Sequence, residues 1–70
     1  MANSTIEILR INIKKYRLEK GLTQEKLSEL TGISTDYLSE IERGKRVPSF
    51  KRFDKIAQVL EIEAYKFLLP

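Results

Sequence analysis

Residues 23–44 read TQEKLSELTGISTDYLSEIERG, and the fold follows from how this stretch is punctuated. Thr23 is a good N-cap, and the Gln24–Thr31 run behind it places Leu27 and Leu30 on one helical face. Gly32 offers the left-handed backbone that ends a helix sharply. Ser34 then caps a second run, in which Leu38 and Ile41 point the same way, and Gly44 supplies another stop. Two short helices joined by a tight glycine-containing turn make a helix-turn-helix pattern.

The flanks continue the helical pattern. Upstream, Ser4 or Thr5 caps an amphipathic helix from Ile6 to Lys20, with Ile6, Leu9, Ile13 and Tyr16 as its core stripe. Met1 to Asn3 reads as a frayed tail. On the opposite side Leu18 is a scattered surface hydrophobe, while Ile11 is either that or a contact for the C-terminal segment or a partner. Gly21 ends this helix, and Leu22 plugs the core before Thr23. Downstream, Pro48 forces an extended approach and Ser49 caps a fourth helix, whose stripe is Phe50, Phe53, Ile56, Ala57 and Leu60. At this spacing the phenylalanines are core residues rather than stacking platforms, despite the interleaved Lys51 and Arg52. Glu63 to Leu68 reads as a short fifth helix carrying Ala64, Phe67 and Leu68. The expected fold is all-α, a compact five-helix bundle in which residues 1–70 form a single domain.

Composition removes several function classes. The 70 residues include no cysteine and no histidine, so a disulfide framework, a thiolate metal site and the usual general base are all excluded. Without a glycine-rich phosphate loop, no nucleophile–base pair can be named, and no catalytic residue, metal or cofactor is expected. No apolar run approaches the roughly 20 residues of a membrane span, and no signal-peptide arrangement is present. The expectation is a soluble cytoplasmic protein. A chain this short buries only about 60% of its unfolded surface, so a partner subunit would add stability.

The net charge of +3 is modest, but its distribution is informative. Between Arg43 and Lys55 stand Arg43, Lys45, Arg46, Lys51, Arg52 and Lys55, against Asp54 alone. A second basic set, Arg10, Lys14, Lys15, Arg17 and Lys20, shares the first helix with Glu7 and Glu19. A charge run is usually only a solvated face. Here it directly follows the second helix of the motif, where phosphates would be met. At about 100° per residue, Leu38 and Ile41 mark that helix's buried side, and the opposite side carries Asp36, Ser39, Glu40 and Arg43, flanked by Thr35 and Tyr37. In a helix-turn-helix the N-terminal part of this helix enters the major groove, so Thr35, Asp36, Ser39 and Glu40 are the base-edge candidates. Carboxylates there accept from the cytosine amino group, while Ser and Thr serve several bases. Asp36 alternatively only complements the helix dipole. Arg43, Lys45 and Arg46 are phosphate candidates, and Tyr37 either donates its hydroxyl to a phosphate or lies against the domain.

The chain resembles the lambda-repressor-like helix-turn-helix proteins, the Xre/Cro group. Arg17, Gly21, Gln24, Leu27, Gly32, Leu38, Ile41, Glu42, Gly44 and Pro48 carry the likeness at fixed offsets, and it runs from about Ile6 to Leu68. The chain departs from the pattern where relatives have Gly and a Ser, Thr or Asp, here Glu61 and Glu63, which leaves the start of the fifth helix open. The resemblance implies that Gln24 bonds backbone phosphate and that Arg17 and Glu42 form a structural ion pair between helices. It also implies a sequence-specific regulator of transcription that binds double-stranded DNA as a homodimer on an inverted repeat. Chains this short resemble Cro-like phage repressors, restriction–modification controller proteins and antitoxins. The acidic Asp36 and Glu40 keep a protein-interaction adaptor as the alternative.

Two further expectations come from the residues themselves. Phe67, Leu68 and Leu69 are too many apolar residues for a frayed tail, so they form the dimer interface or else cover the chain's own first helix near Ile11. No small-molecule effector pocket is evident, because the bundle uses nearly the whole chain.

Overall fold

The computed structural model describes residues 4–70, so the expected tail, Met1–Asn3, lies outside the described residues. Helix α1 spans Thr5–Glu19, α2 Gln24–Thr31, α3 Thr35–Glu42 and α4 Phe50–Leu60, and a 3-10 helix spans Ala64–Leu68. No strand occurs among the described residues. Each α-helix begins at a hydroxyl residue in extended backbone. Ser4, Thr23, Ser34 and Ser49 accept from the N–H groups of Glu7, Lys26, Tyr37 and Arg52 at 3.1, 2.9, 3.1 and 3.3 Å. Each bond satisfies one of the donors that a helix start leaves orphaned.

Gly32 turns α2 into α3 at φ 75°, and its N–H donates to the Ser28 carbonyl at 2.8 Å. Helix α4 ends at the same left-handed conformation, but with Glu61 at φ 59°. The Ile62 and Glu61 N–H groups donate to the Ala57 and Gln58 carbonyls at 3.1 Å each, the paired bonds of a Schellman turn, which favours glycine at this position. The departure at Glu61 is therefore a side chain held in strained backbone, with the Lys20 ammonium 2.5 Å from its carboxylate. Replacing it, Glu61→Gly, is expected to raise the thermal midpoint by about 2–4 °C. A fall in the midpoint by calorimetry would mean that the exposed Lys20 contact and chain entropy outweigh the strain.

The core gathers Leu9 and Ile13 of α1, Leu27 of α2, Leu38 and Ile41 of α3, Ile56, Ala57 and Leu60 of α4, and Ile33 and Phe67 from outside the α-helices. Phe67 is wholly buried, edge-to-face against Tyr16 and Phe53 at centroid distances of 5.1 and 5.3 Å. It is therefore part of this chain's own core and is not available to a dimer interface, a correction to the expectation above. Buried Asn12 anchors the segment: its Nδ2 donates to the Phe67 and Leu69 carbonyls at 2.8 Å each.

The expected fifth α-helix at 63–68 is instead this 3-10 helix, so the described residues form four α-helices and one 3-10 turn. The segment is too short to offset α-helix nucleation, Glu63 makes no side-chain cap, and Asn12 takes the carbonyls at its end. Three stripe residues also differ from expectation. Leu30 is exposed because the buried face of α2 lies between Leu27 and Thr31, one turn apart. Ile6 and Phe50 point in core directions but sit in the first turns of their helices, beyond the elements they would touch, and are 44% and 91% exposed.

Candidate nucleic-acid interface

Helix α3 is held against the bundle by a buried ion pair. Arg17 Nε and Nη2 donate to Glu42 Oε2 and Oε1 at 2.7 and 3.0 Å, and Arg17 Nη1 donates to the Leu22 carbonyl at 2.7 Å. Both side chains are nearly inaccessible, at 8% and 4% exposure. Gln24 Nε2 adds a third bond to the carboxylate, donating to Oε1 at 3.0 Å. Three donors on one carboxylate and a carbonyl on the guanidinium meet the requirement that a buried charge be paired and hydrogen-bonded. The Gln24 amide nitrogen carries two N–H groups, so the Glu42 bond orients the side chain and leaves one donor unspent.

Leu38 and Ile41 of α3 are buried in the core and Glu42 in the clamp. Asp36 is exposed in the first turn, and Thr35, Ser39 and Glu40 are half-buried beside it. The four base-edge candidates thus lie off the buried side of this helix, Thr35 and Asp36 in its first turn and Ser39 and Glu40 a turn further on. Gly44 ends it in the left-handed region at φ 76°, with its own N–H and that of Lys45 donating to the Ile41 and Glu40 carbonyls at 3.0 and 2.8 Å. A Cβ at Gly44 would sit 3.0 Å from Arg10 Cδ, so close approach as well as backbone favours glycine. The turn presents Lys45 exposed and folds Arg46 back along α3.

Tyr37 lies at the centre of the cationic cluster. The Arg46 and Arg52 guanidinium carbons are 4.6 and 4.9 Å from its ring centroid, a cation–π distance for both. Its hydroxyl accepts from the Ser49 N–H at 3.3 Å and keeps its own hydrogen to donate. Tyr37 therefore lies against the domain while its hydroxyl stays a donor, and both readings of this residue fit one geometry. Arg46 Nε donates to Glu40 Oε1 at 2.7 Å, and this bond raises the Arg46 pKa above its ordinary value. Glu40 and Arg46, a base-edge and a phosphate candidate, are thus joined in one partly exposed pair. Arg43 Nε reaches the Ser39 carbonyl at 3.4 Å.

The basic face extends past these residues. A groove of about 570 Å³ runs between Thr31, Gly32 and Ile33 at the motif's turn and Lys51, Arg52 and Lys55 of α4. Arg52 stands over Tyr37 on this face, whereas the sequence placed it only in the basic run Arg43–Lys55 and not among the named phosphate candidates. Its signal was membership of that run, and its placement over Tyr37 depends on how α4 docks. Among the described residues no group of acidic side chains is arranged to hold a metal, and no helix is long and apolar enough to cross a membrane.

The chain is similar to known proteins over nearly its whole length. It is 42% identical over 64 residues to the uncharacterized HTH-type transcriptional regulator YazB of Bacillus subtilis (strain 168), covering 91% of this chain and 93% of that one. The crystal structure of the hypothetical transcription factor NHTF from Neisseria superposes with a TM-score of 0.89 at 31% identity, covering 96% of this chain and 77% of that one. The restriction–modification controller protein C.Esp1396I, solved as a tetramer in complex with its natural 35 base-pair operator, superposes with a TM-score of 0.83 at 35% identity, covering 94% and 87%. The family model for the helix-turn-helix matches residues 13–67, from the middle of α1 through the buried Phe67. With that match and the clamp, turn and outward helix described above, the chain belongs to the helix-turn-helix family.

Proposed function

We propose that this chain is a sequence-specific, double-stranded-DNA-binding regulator of transcription, acting as a cytoplasmic homodimer on an inverted repeat. One observation carries the reading: the outward side of α3 and the cations around Tyr37 form one continuous surface, held by a buried clamp that also orients Gln24. Thr35, Asp36, Ser39 and Glu40 face base edges, and Gln24, Tyr37, Arg43, Lys45 and Arg46 face phosphates. The described domain has no catalytic role in this reading; residues 1–70 act as one binding domain, in the manner of a repressor, controller protein or antitoxin-like regulator. Exposed Leu68 and Leu69 at the C-terminal end are available to the dimer contact.

Selection from a randomised duplex library tests this directly. Wild type should enrich a two-fold sequence, and Glu40→Ala should change the preferred base at one half-site position, with a loss of about 1–3 kcal/mol on the cognate site and little on random DNA. Lys45→Ala and Arg46→Ala should weaken all sequences alike, each lowering the slope of log affinity against log salt by about 0.9. Gln24→Ala should lower affinity at an unchanged slope. The exposed Asp36 carboxylate on the same face favours the adaptor as second reading, and a wild type with no base preference would select it.

A further inference from the structure

We propose that Arg10 is a positioning residue for DNA recognition: held by Glu7, it grips the end of α3 and so fixes the turn that carries Lys45 and Arg46. The proposal rests on the DNA-binding reading above. Helix α1 bears two arginines seven residues apart, Arg10 and Arg17, which is close to two full turns, so both side chains leave the helix on one side. Both take hold of Glu42. Arg17 binds its carboxylate, and Arg10 Nη1 donates to its backbone carbonyl at 3.3 Å.

That carbonyl needs such a donor, because a helix leaves its last carbonyls without partners of its own. At the end of α3 the N–H groups of Arg43, Gly44 and Lys45 serve the Ser39, Ile41 and Glu40 carbonyls, and among the described residues no backbone N–H serves that of Glu42. A cation at this place also complements the negative end of the helix dipole. The same side chain covers Gly44, where a Cβ would meet Arg10 Cδ and Nε at 3.0 and 3.3 Å. Arg10 is fixed from its other side: Nε donates to Glu7 Oε1 at 2.9 Å, and Nη2 pairs with Glu7 Oε2. An exposed pair one turn apart contributes little by itself. This one is partly covered, at 31% and 39% exposure, and its guanidinium makes a third bond to another helix. With Nε and Nη2 spent on Glu7 and Nη1 on the carbonyl, Arg10 links α1 to α3 rather than standing as a free cation for a phosphate. Lys45 and Arg46 leave the backbone directly beyond the residues it covers.

Titration of the full chain on the duplex that wild type enriches tests the link, at several salt concentrations and at a temperature where circular dichroism shows every variant folded. Arg10→Met should lower affinity by about 10-fold, the scale of one lost hydrogen bond from a charged group, at an unchanged slope of log affinity against log salt. Glu7→Gln keeps the cation but loosens its hold, and should lower affinity by about 3-fold. The double variant should bind like Arg10→Met, because Glu7 acts through Arg10. Arg10→Lys keeps a donor for the carbonyl and should regain part of the loss. Should Arg10→Met not fold, Glu7→Gln decides, and its binding as tightly as wild type overturns the proposal. Arg10→Met binding as tightly as wild type does the same, since the network then serves only the fold. So does a slope lowered by about 0.9 with tighter binding by Glu7→Gln, the signature of a direct phosphate contact. A wild type that enriches no duplex fails the regulator reading and this inference with it. A wild type that enriches one, beside an Arg10→Met of equal affinity, fails the inference alone.

Discussion

Replacing Phe67 with alanine is expected to cost about 3–5 kcal/mol, enough to unfold much of a domain this small. The ring is wholly buried, closes edge-to-face on Tyr16 and Phe53, and lies where the last turn of the chain meets α1 and α4. Truncation leaves a cavity that the close-packed neighbours fill only in part. Urea unfolding at several protein concentrations measures it. The loss should be the same at each, because the contact lies within one chain; a loss that fades on dilution would return Phe67 to the dimer interface. Should the alanine variant not fold, Phe67→Leu should still show a deficit of roughly 1–2 kcal/mol.

Breaking the clamp is expected to cost as much. Arg17→Met leaves the Glu42 carboxylate buried with Gln24 as its remaining side-chain donor, and Glu42→Gln leaves a buried guanidinium without its counter-charge, with one amide oxygen and the Leu22 carbonyl as its acceptors. Removing one partner of a buried pair costs about 3–5 kcal/mol, whereas an exposed pair is worth under about 1. In urea, the double variant Arg17→Met/Glu42→Leu should be far less destabilised than the sum of the single losses, since neither charge is then stranded. Single losses well below 1 kcal/mol would make this a surface contact. The clamp also reaches the binding surface: Glu42 orients Gln24, so Glu42→Gln should weaken DNA binding even where the protein remains folded.

The residues themselves foretold the helices with their hydroxyl caps, the glycine stops, the core direction of Leu27, Leu38 and Ile41, and the outward side of α3. These are local properties: a cap serves N–H groups two or three residues away, and periodicity fixes the direction in which a side chain leaves the helix. What periodicity does not state is whether another element reaches that far along the axis. Ile6 and Phe50 have core directions and no cover, while Phe67, at the edge of a short tail, lands at the centre of the core.

The sequence by itself determined an all-α helix-turn-helix chain, the residues on its outward helix face, and the absence of the cysteine and histidine that much catalysis and metal binding use. Only the tertiary structure decided that Asn12 holds the C-terminal carbonyls, that Gln24 joins the Arg17–Glu42 clamp, and that Arg46 and Arg52 converge on Tyr37. It also decided that the last segment is a 3-10 turn and that Phe50 faces solvent. The physical reason is one of range. Caps, stops and stripes are settled within a turn of helix, whereas these contacts join groups 9–57 residues apart, and their partners exist only once the helices have docked.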